Sequence, residues 1–141
     1  MKPNIHWIDD WKTDQESSRE KQISTDLVCY FRQFWVIENL DKKSKTTKYR
    51  YSNSLHALGG YLIDQSNLEK NYNKSAQDLL LEYVGPYGGP LIHDIENWQN
   101  ELDMVCCKFY KYMKKAELYR DYGCYSCRIA SSAALFDSGK L

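Results

Sequence analysis

No stretch of this chain approaches the roughly 20 consecutive apolar residues of a membrane-crossing helix. Its longest apolar clusters sit inside amphipathic patterns. A secretory leader is not expected either, because the opening MKPNIHWIDDWKTDQ is polar and acidic and has no apolar centre. The expectation is a cytoplasmic protein without membrane contact. Net charge is also missing: 19 Lys and Arg balance 19 Asp and Glu. That balance argues against a uniformly basic, histone-like binder. It leaves room for a local basic patch, since the distribution of charge steers a polyanion. Near neutrality gives little colloidal repulsion, so self-association is compatible with it. Strand-like alternation and internal repeats are absent. Glycine and proline are few, and three of the seven glycines and two of the three prolines crowd into GPYGGP at 85–90. Such a hexapeptide cannot continue a helix and reads as a sharp turn. It is not a phosphate-binding loop, because no strand precedes it and the Lys-Ser/Thr ending is lacking.

The chemistry-bearing residues are sparse and scattered. The five cysteines, Cys29, Cys106, Cys107, Cys124 and Cys127, are odd in number and follow no export signal, so reduced thiols are expected. Cys124 and Cys127 form a C-x-x-C pair, but a structural zinc ion wants four N or S ligands. Adjacent Cys106 and Cys107 point about 100° apart on a helix, which chelates poorly. None of His6, His56 and His93 sits in an H-E-x-x-H arrangement. His56 reads as flanking the core and His93 as a surface or capping residue. Asp9, Asp10, Asp94, Glu96, Glu101 and Asp103 read as solvated acids, the later set complementing a helix start. No nucleophile constellation is visible. The expectation is a protein with no catalytic site, cofactor or metal.

What is present is a globular composition: 43% hydrophobic, 27% charged and 14% aromatic, with 12 tyrosines. That is enough to build a core in one domain. The spacing predicts an all-α, single-domain bundle of four to five helices: an irregular lead-in over 1–13, a helical core over 14–118, and an extension over 119–141 with a candidate short helix from Arg128 to Phe136. Trp7, Ile8 and Trp11 are placed to strap the lead-in onto the body. The first long helix is expected from about Asp14 to Asn39, with Ile23, Leu27, Tyr30, Phe31, Phe34 and Ile37 on one stripe, widened by Trp35 and Val36. The second begins with a cap at Ser44, Thr46 or Thr47 and carries Tyr51, Leu55, Leu58 and Leu62 on one face. Its Gly59 and Gly60 cost about 1 kcal/mol each against Ala, so close approach of another backbone is expected there. A third follows a capping-box-like Ser75-Ala76-Gln77-Asp78. The fourth spans about His93 to Leu118, with Ile95, Trp98, Leu102, Val105, Phe109 and Tyr112 forming a seam.

Two charge runs carry the functional expectation. Lys42, Lys43, Lys45, Lys48 and Arg50 contain no acid among them, and neither do Lys108, Lys111, Lys114 and Lys115. Such side chains neutralise phosphates. Thr46, Thr47, Tyr49 and Ser52 add hydroxyls, and a helix N-terminus adds N–H groups.

SKTTKYRYSNSLHALGGYL and ELDMVCCKFYKYM resemble two helices of the N-terminal core-binding domain of tyrosine recombinases and phage integrases, a likeness covering about residues 15 to 116. The resemblance implies a small helical bundle that clamps one side of a DNA duplex. Lys45, Thr47, Lys48 and Arg50 match its DNA-facing helix start, and Lys108, Lys111 and Lys115 its last basic face. The separated Arg, His-x-x-Arg and Tyr of a recombinase find no room after Leu118, so strand exchange by this chain is not expected. The leading expectation is a non-enzymatic DNA-binding protein using Lys43, Lys45, Thr47, Lys48, Arg50, Lys108, Lys111 and Lys115. On the resemblance, it would be an accessory in a mobile-element or phage-related system. The alternative is a protein-interaction or self-assembly module using Trp7, Trp11, the aromatic first helix and the C-terminal segment. A small enzyme or metal protein using Cys124, Cys127 and a histidine is the third reading.

Overall fold

Ser17, itself extended, accepts a hydrogen bond from the backbone N–H of Glu20, which starts a helix that runs to Ile37. This is α2 (Ser18–Ile37) of a computed structural model that describes residues 2–15 and 17–118. Before it lies a single short helix, α1 (His6–Asp10), where the sequence pattern pointed to irregular chain. After it come α3 (Lys45–Ser66), α4 (Ala76–Tyr83) and α5 (Glu96–Leu118). Single turns of 3-10 helix at Leu40–Lys42 and Glu69–Asn71 join them. Among the described residues there is no strand, only an isolated bridge between Gly85 and Gly88 inside the turn. The fold is a small all-α bundle, and no helix among the described residues is long and apolar enough to cross a membrane.

One hydrophobic core draws on all five helices, through Trp7, Leu27, Phe31, Leu55, Leu58, Leu79 and Phe109 among others. At its centre, Phe31, Phe34, Phe109 and Tyr112 meet largely edge to face, with centroids 5.1 to 5.8 Å apart. That geometry matches ring edges to ring faces. The predicted stripe of α3 is buried throughout, as Tyr51, Leu55, Leu58 and Leu62 lie in the core. Its cap is Ser44, whose hydroxyl accepts from the Thr47 N–H at 3.2 Å. The capping box of α4 is complete: Ser75 Oγ accepts from the Asp78 N–H, and the Asp78 carboxylate accepts from the Ser75 N–H.

Other expectations need correction. The apolar stripes of α2 and α5 run past the core: Val36 and Ile37 at the end of α2 are 72% and 62% exposed, and Ile95 just before α5 and Trp98 in its first turn are 48% and 56% exposed. Among the described residues no element covers the last residues of α2 or the start of α5, so the helical period continues where burial stops. The Gly59 notch receives a side chain where a neighbouring backbone was expected. A Cβ at Gly59 would lie 2.1 Å from Cζ2 of Trp11. The Trp11 indole N–H donates to the His56 carbonyl at 3.0 Å, so the strap is both packed and hydrogen-bonded. Trp7 and Trp11 are therefore buried within the chain and are not a surface for a partner. The Arg128–Phe136 helix and the Cys124–Cys127 pair lie outside the described residues.

Polar ties hold the ends together. Arg19 at the start of α2 donates to the carbonyls of Ser66, Asn71 and Lys74 at 2.9, 2.6 and 3.2 Å. It thus fastens the end of α3 and the α3–α4 connector, where a cation complements the helix dipole. Buried Glu20 accepts from Thr13 and from Asn67, joining the strap to the end of α3.

Candidate functional site

α3 begins directly after the polar DKKS segment, so its first turn carries the first basic run out to the end of the bundle. Lys43 and Lys45 are exposed there. Thr47 is half-buried and is engaged with Ser44, whose hydroxyl donates to Thr47 Oγ1 at 3.0 Å. Lys48 is half-buried and lies close enough to the Asp41 carboxylate to help keep it ionised. Arg50 turns the other way and pairs with Glu101 of α5 at 3.4 Å. Two positions on a helix are about 200° apart, so Lys48 and Arg50 lie on opposite flanks of α3. The five-residue run is split and does not form one face.

The second run is better aligned. Lys108, Lys111 and Lys115 follow at i, i+3 and i+7 on α5, one stripe beside the buried seam. The Lys108 ammonium sits 5.9 Å from the centroid of the Tyr51 ring on α3. Its hydrogen bond with the Tyr51 hydroxyl, the largest influence, raises its pKa above the usual lysine value, with Glu38 adding a smaller push. The Tyr51 hydroxyl in turn donates to Met104 Sδ at 3.7 Å. Tyr51 thus packs α3 against the start of the α5 stripe, and its ring also meets Phe34 of α2 at 6.2 Å. Between α2 and α5 a groove of about 720 Å³ is lined by Ile37, Glu38, Lys108, Lys111, Lys114 and Lys115 among others. Three carboxylates, Glu38, Asp41 and Glu101, lie among the basic side chains. Asp41 is held below its usual pKa, first by the indole N–H of Trp35 at 2.9 Å and then by Lys2.

A second recess, of about 580 Å³, opens between α3 and α5 on the Arg50 side. Its walls are Thr46, Tyr49, Arg50 and Asn53 from α3, and His93, Trp98 and Glu101 from α5 and the segment before it. Gln99 and Asp103 brace the segment that carries His93, and no sequence pattern singles out Gln99. The Gln99 carbonyl accepts from the N–H groups of Ile92 and His93, both at 3.0 Å. Its amide donates to the Pro90 carbonyl at 2.9 Å and to Asp103 at 3.0 Å. Asp103 also accepts from the Gly89 N–H at 3.1 Å, so it is not a merely solvated acid. The GPYGGP turn is thus tied onto α5, and a Cβ at Gly89 would lie 2.4 Å from Cys106 Sγ. No sequence period signals a glutamine that binds a loop two turns away; its burial is the only sign.

No cluster of His, Cys, Asp and Glu suited to a metal occurs among the described residues. His56 is half-buried, pairs with Asp10 at 2.9 Å and meets Trp7 edge to face, which makes it part of the strap. His93 packs edge to face on Trp98 at 5.9 Å. Compared with models of known protein families, with curated proteins and with solved structures, the chain matches none. The class it belongs to is set by its own architecture, a small all-α bundle with a lysine-rich end.

Proposed function

We propose that this protein binds nucleic acid, DNA in the first instance, without catalysing a reaction on it, through the end of the bundle where α3 begins and the basic stripe of α5 emerges. The observation that carries the reading is the contact of Lys108 with Tyr51, which brings the α5 stripe against α3 one residue after Arg50. Lys43, Lys45, Lys111 and Lys115 are exposed at this end and available to phosphates, while Arg50 and Lys108 already have partners on the protein. The affinity then comes mainly from phosphate neutralisation, with sequence preference secondary. An accessory role beside a recombinase rests on the family resemblance alone.

A labelled random duplex titrated across a salt series tests this. With three to four phosphates neutralised, log K falls against log salt with a slope of about −2.7 to −3.6. Lys45→Glu combined with Lys111→Glu removes most of the binding and leaves the melting temperature nearly unchanged, since exposed charges contribute little to stability. Absence of binding at about 50 mM salt, or a double variant that binds as tightly as the parent, rejects the reading.

A further inference from the structure

We propose that the recess between α3 and α5 holds one unpaired nucleobase of a bound strand, stacked against Trp98 and Tyr49. The inference rests on the nucleic-acid reading above and adds to it what part of the ligand the protein grips. Four tryptophans occur in the sequence. Trp7, Trp11 and Trp35 are buried in the core, and Trp98 is 56% exposed on the wall of a recess. Tyr49 is similarly exposed, at 57%, on the facing helix. Exposed rings on two walls give an apolar heterocycle faces to lie on, and such stacking is tolerant of base identity.

The polar groups of the recess fit the same ligand. Arg50 and Glu101 stand 3.4 Å apart and present a cationic donor beside an anionic acceptor. Asn53 offers an amide with both functions. A base edge also carries donors and acceptors side by side, whereas an aliphatic chain or a bare anion has no use for this mixture. The volume of about 580 Å³ is that of a small-molecule pocket and admits a base with its sugar. The wall is prearranged, because Gln99 and Asp103 lock the segment carrying His93 before any ligand arrives. A base paired within a duplex cannot enter, so the ligand is a single strand or an unpaired position beside a duplex.

Trp98 is itself the reporter, as the other three indoles are shielded. The full chain is titrated with a mixed-sequence single-stranded 12-mer while tryptophan emission is followed, and end-labelled forms of the same single strand and of its duplex are titrated in parallel by anisotropy, which reads affinity in the variants that lack Trp98. The single strand is expected to quench the emission. Trp98→Ala abolishes the quench and weakens single-strand binding roughly tenfold or more, Trp98→Phe restores most of that affinity, and duplex binding changes less than twofold in both. Circular dichroism checks that each variant is folded. Duplex binding with no quench by the single strand overturns the pocket and leaves the basic end standing. Single-strand affinity unchanged in Trp98→Ala also overturns it. Failure of both ligands rejects the pocket together with the reading it rests on. Self-association that Trp98→Ala dissolves, without any quench, assigns the recess to a protein contact and overturns it too.

Discussion

Gly59 shows how much one missing methyl group decides. The Trp11 ring occupies the space a Cβ would fill, so Gly59→Ala must push the indole away or shift the helix. Overpacking of this kind costs about 1–3 kcal/mol, and the melting temperature of Gly59→Ala should fall accordingly. Trp11→Ala should cost about 3–5 kcal/mol, as expected for removing a buried indole. A variant that melts with the parent would show that the strap does not hold the body. The sequence made the glycine pair conspicuous but could not name its neighbour, because the two residues are separated by 48 positions and no local pattern links them. Cysteine reactivity follows from burial in the same way. Burial pushes the Cys106 thiol up to about 12, with Asp103 adding to the effect. At pH 8 it stays a thiol, and the thiolate is the nucleophile. Mapped alkylation of the folded protein should therefore leave Cys106 unlabelled until denaturant is added, while half-buried Cys107 labels earlier.

Elements were legible where their ends carry local chemistry. Ser44 and the Ser75–Asp78 box announce α3 and α4 because capping is settled within four residues. Ser75→Ala should cost about 1 kcal/mol, read as a lower urea midpoint with an unchanged slope. The ends of α2 and α5 were misjudged for the opposite reason. Periodicity marks which side of a helix is apolar, but where that side is covered depends on neighbours, so Ile37, Ile95 and Trp98 looked like core and are exposed. The loop wall built by Gln99 was invisible for a related reason, since a glutamine on a helix is ordinarily a surface residue. Gln99→Leu removes four hydrogen bonds at once. Amide exchange should quicken at Gly89, Ile92 and His93 in that variant, while the α3 core amides keep their protection. Equal acceleration everywhere would mean that the turn is part of the global fold.

At the scale of the molecule, buried Glu20 couples folding to pH. Burial alone would raise its pKa, but hydrogen bonds from Asn67 and Thr13 together outweigh that and hold it below the usual carboxylate value of 4.5. A carboxyl lowered on folding contributes stability that is fully present above its unfolded pKa and is lost as pH falls through the folded one. Urea midpoints should therefore drop as pH is lowered below about 4.5, and Glu20→Gln should flatten that drop while lowering stability at neutral pH. A parent and variant with parallel acid profiles would rule out Glu20 as the group. The all-α class was readable from the sequence because it depends on period and punctuation. The candidate surface was readable only as two charge runs. The contact of Lys108 with Tyr51 depends on helix packing that no run of letters encodes, whereas the division of Lys48 and Arg50 between two flanks of α3 follows from the helix period.

The ion pair between Lys2 and Asp41, at 3.6 Å, bears on how the protein is handled. It places the first described residue against the carboxylate that Lys48 also reaches, at the lysine-rich end. A purification tag or fluorophore attached ahead of Lys2 would emerge beside the surface under test. An acidic tag there would mask phosphate binding and a polyhistidine tag would imitate it, so the label should be cleaved off before titration.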